Sequence, residues 1–178
     1  MIRFVPLTSV APDDVDALLD AAFGTDRIQR TAYRVRAGTA AIAALSEAVV
    51  DAEGSLIASI QCWPVQIRCD SGETVPMVMV GPVAVAPDLQ RGGIGRRLME
   101  RLLERVERRP RPEFQRLMLV GDPEYYGRFF GFTADRTGAW RLPGPVERHR
   151  LLARGADVPD CAGIVEARLT ALVDPPGV

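Results

Sequence analysis

VGPVAVAPDLQRGGIGRRLMERLLERVERR, residues 80–109, reads as the end of a strand, a glycine-rich turn and a long amphipathic helix. In the helical half, Ile94, Leu98, Leu102 and Val106 recur every four residues, with Met99 and Leu103 widening the stripe and charges filling the opposite face. One face is buried and the other is wet. Residues 77–85 are apolar almost without relief, as expected of a central strand covered on both sides. Gly81 and Pro82 interrupt the run. Proline has no N–H to give to a ladder, and glycine admits unusual backbone angles, so the pair predicts a bulge that leaves backbone groups free for a ligand.

Between strand and helix, Gln90, Arg91, Gly92, Gly93, Ile94 and Gly95 make a turn that can aim several N–H groups into one hollow. Those donors sit at a helix N-terminus, whose partial positive charge favours an anion, and Arg91, Arg96 and Arg97 add fixed charge. The physical reading is a pyrophosphate cradle. A nucleoside-triphosphate loop is excluded, because no Gly-Lys-Ser/Thr ending is present and the chain contains no lysine. A dinucleotide fold would place an acid about 20 residues on, capping a second strand, whereas the acids here fall within or at the end of the helix.

The Gln-x-x-Gly-x-Gly spacing, entered from Val-Ala-Val-Ala-Pro and followed by an amphipathic helix, resembles the acyl-coenzyme A signature of the GNAT superfamily of N-acetyltransferases. Downstream, LMLVGDPEYYGRFFGF, residues 117–132, is similar to the Gly-Asp-x-x-Tyr-Tyr-x-x-Phe-Gly-Phe segment of that superfamily's YhbS-like branch. The two motifs span residues 77–132. The resemblance implies an α/β (α+β mixed) fold: a central mixed, mostly antiparallel sheet with a splayed parallel strand pair and flanking helices. It implies that Val83, Ala84 and Val85 meet the pantetheine arm of acetyl-CoA, that Gln90, Arg91, Gly92, Gly93, Ile94, Gly95, Arg96 and Arg97 hold the pyrophosphate, and that no metal takes part. It also brings the Tyr125-Tyr126 pair to the mouth of the gap, with Tyr126 as proton donor to the leaving thiolate. Between Tyr126 and Gly131 the chain carries one residue more than the family spacing, and a helix turns by about 100° per residue, so Tyr125 is the reserve candidate.

A chain of 178 residues with 47% hydrophobic content fits one cored domain, read as residues 1–154 with a C-terminal extension over 155–178. The net charge of −1 gives no reason to propose nucleic acid, and no run of about 18 apolar residues exists to span a membrane. Cys62, Cys69 and Cys161 are odd in number and lack framework spacing, which reads as free thiols in a reducing, cytoplasmic setting. The single histidine, His149, completes no familiar zinc site with them.

In chain order, residues 2–6 form a first strand, and Pro12, Asp13 and Asp14 open a helix with a Val15, Leu18, Leu19 and Ala22 stripe. Thr25 and Asp26 open a second helical segment through Arg36 that carries Arg27, Arg30, Arg34 and Arg36. By resemblance it borders the acceptor site and could greet an anionic acceptor; a solvated charged face is the simpler reading. Residues 45–51, 55–69 and 73–85 read as a three-stranded meander, with a kink or edge at Trp63-Pro64; Trp63 could line the acceptor pocket, and a place in the core is the simpler reading. Strands follow at 117–120, 132–142 and 148–153, with a short helix opened by Asp122-Pro123 and one further strand within 164–172; the Pro175-Pro176-Gly177 end is frayed. An uncovered late strand leaves a homodimer open.

These residues point to transfer of an acetyl group from acetyl-CoA to a primary amine in a ternary complex. A backbone N–H near Val83 or Val85 would hold the carbonyl oxygen as it gains charge. No carboxylate or histidine lies on residues 77–86, so Glu124 and Asp26 are the candidate bases, with His149 a weaker one. The alternative is a non-catalytic acyl-CoA-binding sensor, and a longer acyl donor is also open.

Overall fold

The structure, a computed structural model, describes residues 1–169; residues 170–178, which hold the Pro175-Pro176-Gly177 end and the last part of the 164–172 patch, lie outside them. After β1 (Arg3–Pro6), helix α1 (Pro12–Phe23) starts as its sequence dictates, with proline at the first position, Asp13 and Asp14 against the N-terminal dipole, and Val15, Leu18 and Leu19 buried. The helical segment expected through Arg36 is broken in two. A 3-10 turn (Thr25–Gln29) ends at Arg30, whose extended backbone (φ −68, ψ 149) separates it from the single-turn helix α2 (Thr31–Val35). The break lets Arg27 turn back onto α1, where it meets Asp16 and Asp20 at 3.1 and 2.8 Å.

The meander forms as read: β2 (Glu47–Val50), β3 (Leu56–Cys69) and β4 (Thr74–Val85). Helix α3 (Ile94–Arg108) then carries the chain to β5 (Leu117–Val120), which runs parallel to β4. Helix α4 (Pro123–Phe130) is capped by Asp122, whose carboxylate accepts the Glu124 N–H at 3.0 Å. The late strands are shorter than expected: β6 is only Trp140–Arg141, β7 is Leu151–Arg154, and β8 is Gly163–Ala167. Residues 133–139 turn instead, because the buried Thr137 hydroxyl donates to Leu151 O at 2.7 Å and holds that loop against β7. The Thr133–Ala153 bridge covers part of the outer edge of β7.

The sheet runs β1-β2-β3-β4-β5-β7, with β8 paired to β3 and β6 to β8. β3 meets β2 along its first half and β8 from Val65 onward, so Trp63-Pro64 falls where one neighbour gives way to the next. Successive residues of β4 feed opposite cores. Val78 and Val80 join Ile94, Leu98, Met99, Leu102 and Val106 of α3, while Met77 and Met79 join Val65, Ile67, Met118 and Trp140 on the other face. Each such side chain fully buried contributes about 1.5–3 kcal/mol.

Cys69 and Cys161 form a disulfide, which corrects the expectation of unpaired thiols and removes that ground for a reducing setting. The partners are 92 residues apart and meet because β8 pairs with the end of β3, opposing Cys69 to Gly163. The remaining Cys62 is buried, and burial pushes its thiol pKa up. No described helix is long and apolar enough to cross a membrane.

Candidate active site

Parallel pairing between β4 and β5 is confined to Val78 with Leu117 and Met79 with Met118. Beyond that point the strands part, and residues 79–83 face residues 119–122 across a cavity of about 870 Å³. The bulge predicted from Gly81-Pro82 sits there: Ile60 opposes Val83 and Cys62 opposes Val80, so β4 spends one residue more than β3.

That extra residue changes which amides face the gap. Before it, Val78 N–H points toward β5 and donates to Arg116 O at 2.9 Å. After it, Ala86 N–H points the other way, to Ile57 O of the β3 side at 2.8 Å, and the register is regular back to Val83. Alternation along the strand therefore turns Val83 and Val85 toward the open side. Pro82, between the two regimes, has no N–H to leave stranded.

Val83 and Phe23 also border a second hollow of about 360 Å³, lined further by Val85, Gln90, Arg91, Gly93, Gly95, Arg96 and Tyr125. Gly93 takes the left-handed φ of 73° at the helix N-cap, which an L side chain adopts only under strain. The first helical bond across this corner is Arg97 N–H to Gly93 O at 3.1 Å, so the amides of Ile94, Gly95 and Arg96 precede the ladder. A Cβ placed on Gly92 meets nothing within 4 Å. Three of the residues expected around the cofactor direct their side chains elsewhere. Ala84 and Ile94 are buried in the cores, and the Arg97 guanidinium lies 4.7 Å over the Phe4 ring. Arg96 keeps its charge at the hollow, 2.9 Å from Glu100 and 4.7 Å over Phe129.

The two tyrosines divide between the hollows. Tyr125 lines the smaller one and Tyr126 the larger, their rings 5.0 Å apart and edge to face. Burial, with smaller contributions from Tyr125 and Asp122, pushes Tyr126 up to about 12. No hydrogen bond joins its hydroxyl to another described residue. Its ring is seated by Gly121, where a Cβ would stand 2.5 Å from the Tyr126 Cε2.

The expected bases are not at the cavity. Glu124 and Asp26 are exposed and line neither hollow, and His149 lies on a 3-10 turn rather than a strand, exposed and 3.5 Å from Glu147. The carboxylates that do line the larger cavity, Asp122 and Glu147, are both exposed.

Of the four arginines of residues 27–36, Arg30 and Arg34 are exposed as a solvated face would have them, whereas Arg27 and Arg36 depart from that expectation. Arg27 and Arg36 are only 6% and 8% exposed, and both line the cavity with Arg30 and Arg150. Burial opposes the Arg27 charge, yet hydrogen bonds from its guanidinium to Tyr33, Asp20 and Asp16 hold its pKa above the ordinary value. Arg36 forms no ion pair with a described residue: burial lowers its pKa despite smaller opposing contributions from Tyr33 and Asp16, and its guanidinium is stacked 3.9 Å from the Tyr33 ring centre and 4.0 Å from that of Trp63. Trp63 thus packs on the core and also holds Arg36, while its indole N–H donates to Gly81 O at 2.9 Å. Sequence reading placed Arg36 only by resemblance, in a segment bordering the acceptor site for which a solvated face was the simpler reading, and it missed Arg150 as a wall residue. Among the described residues, no group of three or more His, Cys, Asp or Glu could hold a metal ion.

The family model described as Acetyltransferase (GNAT) domain matches residues 4–133. Among solved structures, the fold is similar to a GNAT family N-acetyltransferase (YhbS) from Escherichia coli in complex with CoA, at 24% identity and TM-score 0.66, covering 94% of this chain and 89% of that one. It is also similar to a GNAT family acetyltransferase from Brucella melitensis in complex with acetyl-CoA, at 22% identity and TM-score 0.58, covering 94% and 96%. No curated protein matches the chain.

Proposed function

The chain belongs to the GNAT family of acetyltransferases, and we propose that it transfers the acetyl group of acetyl-CoA to a primary amine by direct attack in a ternary complex. The observation that carries this reading is the parting of β4 from β5 beyond Met79, which opens the larger cavity onto the bulge and Tyr126, with Val83 and Phe23 shared between it and the hollow at the glycine corner. The fit of acetyl-CoA is supported by the open space at Gly92 and by helix-start amides with no intrahelical acceptor. In this reading residues 1–154 are the working domain and 155–178 an extension that adds β8 to the sheet.

The thioester supplies an activated carbonyl, and the chain supplies the rest. Backbone of Gln90, Arg91, Gly92, Gly93, Ile94, Gly95, Arg96 and Arg97, with the Arg91 and Arg96 charges, holds the diphosphate. The Val83 or Val85 N–H stabilises the carbonyl oxygen as negative charge grows on it, worth about 3 kcal/mol for a well-placed donor. The N–C bond forms, the C–S bond breaks, the amine proton leaves to solvent, and the neutral Tyr126 hydroxyl gives its hydrogen bond to the departing sulfur.

The test is release of free thiol from acetyl-CoA with a panel of amines. Tyr126→Phe should lower kcat about 100-fold while coenzyme A still raises the melting temperature by the same amount. Coenzyme A protection with no turnover on any amine would favour a sensor instead, a reading supported by the lack of any Asp, Glu or His on β4.

A further inference from the structure

The acceptor half of the cavity is unusually cationic for the end that must admit an amine. Four arginines line it, Arg27, Arg30, Arg36 and Arg150, against the exposed carboxylates Asp122 and Glu147. Arg27 is neutralised by Asp16 and Asp20 behind it. Arg30 gives a hydrogen bond to Phe23 O at 3.2 Å, and neither it, Arg36 nor Arg150 forms an ion pair with a described residue.

Arg36 is the telling member. Arg36 is only 8% exposed, and a cation so placed without a paired carboxylate is costly, because removing it from water forfeits several kcal/mol of hydration that the more distant Asp16 only partly offsets. Two aromatic faces offset part of that cost but leave the edge of the guanidinium, which carries all five N–H donors, without a carboxylate. The stack is braced through Trp63 to Gly81 of the bulge, so this cation is fixed in position relative to the strand where the thioester would lie. A flat, fixed fork of donors suits an oxyanion bidentately. Phe23, Pro82 and Val146 add apolar wall to the cavity that holds this fork and Tyr126.

We propose that the cavity selects a small-molecule amine that carries an oxyanion, a carboxylate or phosphate, at the end remote from the amine, seated on Arg36 with Arg30 and Arg150 around it. This rests on the acetyl-transfer reading and narrows its acceptor. Polycationic amines such as polyamines and aminoglycosides are disfavoured by the same field, since like charges close together in a partly desolvated site repel strongly.

The test is calorimetric titration of the protein, without coenzyme A and at low salt, with three probes of one shape: phenylacetate, phenyl phosphate and neutral phenylacetamide. Phenylacetate, phenyl phosphate or both should bind at least tenfold tighter than the amide, and which does so tells carboxylate from phosphate. Arg36→Met should erase the difference. Arg150→Gln, at an exposed position, should reduce it about threefold, and serves if the first variant does not fold. Equal binding of all three, binding of none, or discrimination that survives both variants would overturn the proposal. Coenzyme A protection against melting is measured on the same samples. Its absence would refute the acetyl-transfer reading alone, and anion discrimination is read independently of it.

Discussion

At the scale of single residues, the glycine corner separates two kinds of constraint. Gly93 is held by its left-handed φ, so replacing it confounds strain with binding, whereas Gly92 faces open space. Gly92→Glu is therefore the cleaner probe: the protein should melt within about 1 °C of the wild type, and coenzyme A should no longer raise that melting temperature. Retained protection would mean that the diphosphate lies elsewhere. Tyr126 carries a prediction about pH. Burial raises its pKa to about 12, so the neutral hydroxyl persists well past the usual phenol value of about 10, and kcat should show no loss attributable to this group as pH rises from about 8 to 10. A rate that breaks downward near pH 10, and that stops doing so in Tyr126→Phe, would contradict it. The turn at this corner was readable in the sequence because its geometry is local, written in consecutive residues. The burial of Arg36 was not, because it depends on Trp63 of the distant strand β3.

At the scale of elements, α3 and α4 show the same division. The four-residue stripe of α3 predicted its buried face, and Leu102→Ala should cost about 2–5 kcal/mol by urea denaturation, since that side chain is 1% exposed among well-packed neighbours. The flank of the buried face of α3 held a surprise. Glu47 of β2 is 2% exposed and accepts from Arg101 at 2.7 and 2.8 Å and also from Arg105. Those arginines are partly exposed and can rehydrate, so Glu47→Gln should cost about 2 kcal/mol, nearer the value of charged hydrogen bonds than that of a fully buried pair. For α4, Gly121→Ala should displace the Tyr126 ring, lowering kcat with little change in coenzyme A protection, because the clash is 2.5 Å and on the acceptor side. Asp122-Pro123 announced where that helix begins. Which tyrosine entered which hollow followed only from how the helix packs.

At the scale of the whole molecule, the disulfide is the plainest long-range effect. Closing a loop of 92 residues removes about 4.5 kcal/mol of chain entropy from the unfolded state, so Cys161→Ser should lower stability by up to that amount in urea titrations, through the greater freedom of the unfolded chain. Spacing could not reveal the pair, since Cys69 and Cys161 meet only through the register of β3 with β8. The sequence by itself determined what short-range chemistry controls: the amphipathic α3, the buried β4 with its bulge, the glycine corner and the cap of α4. Periodicity, a missing N–H and a permitted positive φ act within a few residues. Tertiary structure alone decided the cationic wall, the turning of Val83 and Val85 amides toward the gap, and the separation of Tyr125 from Tyr126. Each of those depends on where distant segments lie in three dimensions, and a guanidinium's environment is set by the atoms around it rather than by its neighbours in the chain.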